Sequence, residues 1–292
     1  MKVCLSIVFA ISTITCLGQD SMQAHFRIYD TRSRQIVAID KIIADCKEAD
    51  VLFFGEEHND SACHYMENAL FTALHQQFGD KLTLSMEMFE TDGQLTLTEY
   101  LAGFITESRM IQDARAWSNY KDYRPMVEYA RQNNIPVIAA NPPRRYVNLV
   151  SRRGMRSLDS LSGESKKYLP RLPYDTLTGR YREKFIDVMK GSPGSNSPNI
   201  YYSQNLWDAG MSYSIYRYLK KHKKQKIFHC EGRFHCDEKL GTLAQLQKRK
   251  PGLRILNISS FSDPSFPDPD WEKFRFLGDY VILTDPGLKK TF

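Results

Sequence analysis

Structural zinc sites need paired cysteines, and this chain offers few. Among 292 residues there are six cysteines, and none follows another by the two to four residues such sites use. The stretch "HCEGRFHC", His229 to Cys236, repeats both histidine and cysteine at a spacing of six, which does not fit that pattern. An internal repeat of the solenoid kind is also missing. Charge is nearly balanced, 40 Lys and Arg against 34 Asp and Glu for a net +6. The basic clusters "RRYVNLVSRRGMR" (Arg144–Arg156) and "KKHKKQK" (Lys220–Lys226) carry neither suitably interleaved aromatics nor a reader motif, so no nucleic-acid partner is expected. The lysine run reads most simply as the cationic last turn of a helix, where the helix dipole favours it. With 42% hydrophobic and 25% charged residues, the composition excludes long disorder and fibrous architectures.

Long apolar runs are scarce too, with one exception at the N-terminus. After Met1-Lys2, the run "VCLSIVFAISTITCLG" reaches Gly18, and the next charge is Asp20. It is shorter than the roughly 20 residues that span a bilayer and has the parts of a secretory signal peptide, so residues 1–18 are expected to be removed on export. A periplasmic or outer-membrane-associated location follows. Thr13-Ile14-Thr15 lacks the Leu and the small residue that lipoprotein processing favours before Cys16, which makes lipidation the lesser expectation. Removal costs only the charge of Lys2, taking +6 to +5. Cys46, Cys63, Cys230 and Cys236 would then meet an oxidising compartment, where a disulfide is open and its pairing unreadable.

Short apolar runs, by contrast, are regularly spaced: Val51–Phe54, Leu82–Met88, Val137–Ala140, Lys226–His229, Leu253–Ser259 and Tyr280–Thr284. They read as buried strands. Helical periodicity fills the gaps at 62–78, 124–132 and 204–220. The expectation is an α/β fold, a parallel-rich sheet flanked by helices. About residues 151–200 break the rhythm and read as a small inserted helical lobe ending in a flexible Gly/Ser/Pro loop, within one domain spanning 19–292.

In such sheets ligands sit beyond the carboxyl ends of the strands, and those positions are polar here. They supply Glu56, Glu57 and His58 ("GEEHND"), Glu87 and Glu90 ("EMFE"), Asn141, Arg144 and Arg145 ("NPPRRY"), and His235. "GEEH" and "GRFH" are both Gly-x-x-His directly after a buried strand, with glycine allowing the tight exit. Structural roles stay open for each. Glu56 or Glu57 can cap the next helix. Glu87, inside an apolar strand, needs a partner, for which Arg144 or Arg145 is the natural candidate. His229 reads as a packed core histidine, His64 and His75 need no special role, and Cys63, Cys230 and Cys236 read as small buried hydrophobes or a disulfide.

Together, "FGEEHND", "SMEMFE", "WSNYKDYRPMVEYARQNNIPVIAANPPRRYV", "YYSQNLWDAGM" and "GRFH" resemble the ChaN family of bacterial haem-binding proteins. That family belongs to a superfamily that includes the Tiki metalloproteases and is similar in fold to the erythromycin esterases. The resemblance covers most of the chain after about Arg34. It implies a haem carrier of the cell envelope serving iron acquisition, not an enzyme, with haem at a homodimer interface, a tyrosine on the iron and an outer-membrane haem receptor as partner. A phenolate suits ferric iron and arginines suit propionates. Tyr181 is the first expectation for the ligand, Tyr174 the second, with Arg144 and Arg145 on the propionates. The alternative it implies is a metal-dependent hydrolase, with Glu57, His58 and Glu87 catalytic and His58, Glu87, Glu90 and His235 holding manganese, cobalt or zinc. A basic surface binding anionic partners is a third reading, recognisable by affinity that collapses with salt.

Overall fold

Each of the six apolar runs becomes a strand, and two more precede them. The computed structural model describes residues 22–192 and 197–292, so the expected signal peptide and part of the Gly/Ser/Pro loop lie outside the described residues. The strands are β1 (Phe26–Asp30), β2 (Gln35–Val37), β3 (Val51–Glu56), β4 (Leu82–Glu90), β5 (Val137–Asn141), β6 (Lys226–Gly232), β7 (Ile255–Ser262) and β8 (Tyr280–Thr284). The helices are α1 (Ile39–Asp45), α2 (Ser61–Phe78), α3 (Gln94–Leu101), α4 (Glu107–Asp113), α5 (Tyr120–Gln132), α6 (Arg144–Arg153), α7 (Gly163–Lys166), α8 (Arg180–Met189), α9 (Pro198–Lys221) and α10 (Gly241–Arg249).

One eight-stranded sheet has the order β2-β1-β8-β7-β3-β6-β4-β5. Strands β3 to β8 run parallel to one another, and β1 is antiparallel to both β2 and β8. Strand periodicity sends alternate residues to opposite faces. On one face Leu52, Phe54, Leu84, Met86 and Phe228 pack against Met66, Leu70 and Phe71 of α2 and Met126 and Val127 of α5. On the other, Val51, Phe53, Ile138 and Ile227 meet Met211, Ile215 and Leu219 of α9 and Leu243 and Leu246 of α10. Both faces are therefore covered, as continuous apolar strands require. Each such side chain contributes about 1.5–3 kcal/mol by leaving water.

The described residues of 151–197 add no strand. They are helical at the end of α6, in α7 and α8, and in a 3₁₀ turn at Met155–Leu158, with irregular backbone between these pieces. Leu158, Leu169 and Tyr174 dock it onto Val147 and Val150 of α6 and Leu206 and Ala209 of α9. At the outer edge of the sheet, the Gln94 amide takes the place of a further strand. Its Nε2 donates to the Val137 carbonyl at 2.9 Å, and its Oε1 accepts from Ala139 N at 2.8 Å.

The connection from β3 passes through α2 to β4 on one face, whereas that from β6 returns through α10 to β7 on the other. The onward connections of the adjacent parallel strands β3 and β6 thus run in opposite directions across the sheet. Such a reversal opens a crevice at the strands' carboxyl ends, and ligands of open α/β sheets bind there.

Candidate functional site

Glu56 ends β3, and Gly232 ends β6 directly beside it in register. The two Gly-x-x-His motifs therefore deliver His58 and His235 to one crevice. Each histidine is oriented by a buried carboxylate. His58 Nδ1 lies 2.7 Å from Glu56 Oε1, which also accepts the Tyr123 hydroxyl at 2.6 Å. His235 Nδ1 lies 2.7 Å from Oδ1 of Asp208 on α9. The other Asp208 oxygen accepts the Tyr181 hydroxyl at 2.6 Å, and Gln204 bridges Tyr181 and His235 at 3.3 and 3.2 Å.

Glu87 completes the group. Gly232 N donates to its Oε2 at 2.7 Å, and its Oε1 lies 3.8 Å from His235 Nε2. A β-carbon on Gly232 would stand 2.8 Å from His58 Nε2 and 3.7 Å from Glu87 Oε2. His58 Nε2 and Glu87 thus converge at the backbone of Gly232, where only glycine leaves them that space, and His235 Nε2 faces the other oxygen of Glu87.

Charge follows from this arrangement. Burial alone would lower the His58 pKa, but the bond to Glu56 and the charge of Glu87 outweigh it and raise the value. His235 is opposed by burial in the same way, yet Glu87 and Asp208 carry it up to about 9. Burial works to raise Glu56, and the hydrogen bonds of His58 and His64 overcome it, holding the carboxyl below its ordinary range. Carboxylate–histidine pairs of this kind fix the tautomer and leave Nε2 free for a metal or a proton.

The structure redistributes several roles read from sequence. Glu57, expected to be catalytic, turns to the other side. Its Oε2 accepts from Ser262 N and Oγ at 3.3 and 3.0 Å and lies 3.5 Å from Lys290 Nζ, because successive residues of an extended strand diverge. Glu56 takes the position beside His58, and the cap of α2 is Asp60. Glu90, expected among metal ligands, is ion-paired with Arg115 at 2.7 Å. Glu87 bonds to Gly232 rather than to Arg144 or Arg145. Arg145 pairs with Asp92 and covers the Tyr146 ring, while Arg144 is exposed. His229 is a buried core residue between Ser85 and Glu231. Cys46, Cys63, Cys230 and Cys236 are all free and buried. Asp208, Gln204 and Tyr123 were missed as site residues, although the first two stand at i, i+4 within "YYSQNLWDAGM", a spacing that puts them on one helix face.

The sequence model of the family described as haem-binding uptake, Tiki superfamily, ChaN matches residues 42–246. The chain belongs to the ChaN family. A Campylobacter jejuni ChaN studied for cofacial heme binding has the same fold, with a TM-score of 0.67 at 18% identity over 89% of this chain and 97% of that one. Lower likeness is found to an erythromycin esterase mutant in its open conformation, with a TM-score of 0.48 and 11% identity over 89% of this chain and 83% of that one. A Bacillus cereus protein aligns at a TM-score of 0.46 and 12% identity over 83% and 74%. Neither of these two scores supports an argument beyond the resemblance itself. No curated protein matches the sequence.

The residues that the family resemblance assigned to haem fit it unevenly. Tyr181 is fully buried with its hydroxyl on Asp208. Tyr174 is buried and donates to the Tyr202 carbonyl at 2.8 Å. Iron at either phenol would have to break those bonds. A cavity of about 680 Å³ runs between β5, α3, α9 and residues 167–169, within the roughly 300–1,000 Å³ of cofactor sites. Its walls are largely apolar, including Leu101, Ile135 and Val137, with Lys167, Arg217 and Lys221 supplying cations and Tyr168 and Tyr213 supplying phenols. Apolar walls, cations for propionates and a phenol for iron are the donor chemistry a haem asks for.

Proposed function

We propose that this chain binds haem in the groove beside β5 and serves haem or iron uptake at the cell envelope after export. The family match over residues 42–246 carries the reading. Tyr168 is the proposed iron ligand, because it is 38% exposed and its hydroxyl makes no protein hydrogen bond among the described residues. Lys167, Arg217 and Lys221 would pair with the propionates. A homodimer and an envelope haem receptor are the partners this role entails. Hemin titration should give a saturable Soret shift that weakens at least tenfold in Tyr168→Phe and persists in Tyr181→Phe. Absence of binding at micromolar hemin would overturn the proposal, and loss confined to Tyr181→Phe or Tyr213→Phe would move the ligand.

A second reading is supported by one observation, the paired Glu56–His58 and Asp208–His235 contacts around Glu87. We infer that this crevice is built for a divalent metal and a hydrolytic water, as the hydrolase alternative requires. His58→Ala and His235→Ala would each abolish metal-dependent hydrolysis. Unchanged metal content and activity in both variants would reject it.

A further inference from the structure

A second cluster shares Glu56 with the crevice but faces the interior. His64, in the first turn of α2, places Nδ1 3.0 Å from Glu67 Oε2 and 3.2 Å from Glu56 Oε2. Its Nε2 lies 3.1 Å from the His58 carbonyl oxygen. A carbonyl only accepts, so Nε2 carries the ring proton and the neutral ring turns a lone pair at Nδ1 toward two carboxylates. Lone pairs so close repel, and a positive species has to stand among them. It is either a proton, on the ring or on a carboxyl, or a metal ion.

The unpaired atoms distinguish the two. Among the described residues, Glu67 Oε1 and Asp122 Oδ2, the latter 4.0 Å from His64 Nε2, are buried without a hydrogen-bond partner, and the only polar neighbour of the buried Glu56 Oε2 on this side is His64 Nδ1 at 3.2 Å. Both glutamates are essentially inaccessible, at 1% and 0% exposure. A proton on Nδ1 can serve one acceptor well, leaving the other carboxylate oxygens unsatisfied in a setting that punishes this. A divalent ion satisfies several at once, and with two carboxylates and a neutral imidazole the site carries no net charge. The three donor atoms lie within 4.8 Å of one another, and Nδ1 stands 3.0 and 3.2 Å from the two carboxylate oxygens, near the separations that donors keep around an ion at about 2.0–2.2 Å. The surroundings match as well. The His58 carbonyl fixes the imidazole from its far side, and Tyr123 and His58 hold the other oxygen of Glu56, as outer groups do around bound metals.

We propose that Glu56, His64 and Glu67 bind one divalent transition ion of the zinc class, in a structural site apart from the haem groove and joined to the crevice only through Glu56. Nitrogen and oxygen donors together suit zinc, manganese, iron(II) or cobalt. Through Glu56, the ion would also set the orientation of His58.

The full-length His235→Ala variant, which lacks a crevice ligand, should still retain close to one equivalent of metal by mass spectrometry when purified without chelator. Chelator-treated protein should regain thermal stability on zinc addition. In that His235→Ala background, zinc binding should weaken at least tenfold on adding Glu67→Gln. A folded protein with no bound metal and no zinc-dependent melting shift would overturn the proposal, as would loss in His235→Ala with retention in Glu67→Gln. Because a substitution at Glu67 can prevent folding, anomalous diffraction from zinc-soaked wild-type crystals supplies a second arm. A peak among His64 Nδ1 and the two carboxylates supports the site, and its absence there overturns it. Hemin binding is read separately at the Soret band, so the two proposals fail independently.

Discussion

Asp208 holds His235 with one carboxylate oxygen and Tyr181 with the other, at 2.7 and 2.6 Å. One side chain on α9 therefore orients the crevice histidine and at the same time engages the phenol first expected to bind iron. Asp208→Asn removes a charge that raises the His235 pKa, so in metal-free protein that value should fall from about 9 toward the ordinary range near 6.5. Imidazole nitrogen chemical shifts followed against pH would check it, and an unchanged titration would contradict the pairing.

Glu56 and Glu57 are adjacent in sequence and should respond differently. Glu56→Gln leaves His58, His64 and Tyr123 facing an amide in the interior, where breaking a buried pair costs roughly 3–5 kcal/mol. Glu57→Gln disturbs only half-buried contacts with Ser262 and Lys290 and should cost about 1 kcal/mol or less. Urea denaturation of both variants provides the comparison.

Gly232→Ala would bring a methyl group to 2.8 Å from His58 Nε2. The ring has to shift, at a cost of about 1–3 kcal/mol. The His58 resonances should move while those of His75, remote on α2 and bonded to Tyr129, stay in place.

The four described cysteines should resist thiol reagents until the protein unfolds. Burial pushes Cys46 up to about 12 and lifts Cys63, Cys230 and Cys236 well above their usual value. Since the folded pKa exceeds the unfolded one, near 9.0, this contribution to stability is complete below pH 9 and is lost as pH rises toward 12. Native protein at pH 8 should show almost no reaction with a disulfide reagent, and guanidinium should release all four thiols. Early reaction of Cys46 alone would show that α1 opens independently.

The six parallel strands were legible because a strand buried on both faces must be apolar throughout, as "VLFF" and "YVILT" are. The antiparallel β1 was not, since "FRIYD" mixes polar and apolar residues at an edge and no continuous run marks it. His58 and His235 were readable from the repeated Gly-x-x-His. Their carboxylates were harder. Choosing Glu56 over Glu57 depends on where the extended backbone of β3 stops alternating, and Asp208 reaches His235 only because α9 folds back across the sheet. Tyr181 shows a further limit, as a resemblance identifies a residue type at a position but does not reveal whether its hydroxyl is already engaged.

Gln94 has a consequence for assembly. By filling the hydrogen-bonding positions beside Val137 and Ala139, its amide closes the ladder against an incoming backbone, and the opposite border is only the three-residue β2. Edges so blunted discourage strand-by-strand recruitment of another chain. If copies of this protein associate, they are better suited to meet through helices and loops than by continuing one sheet into the next.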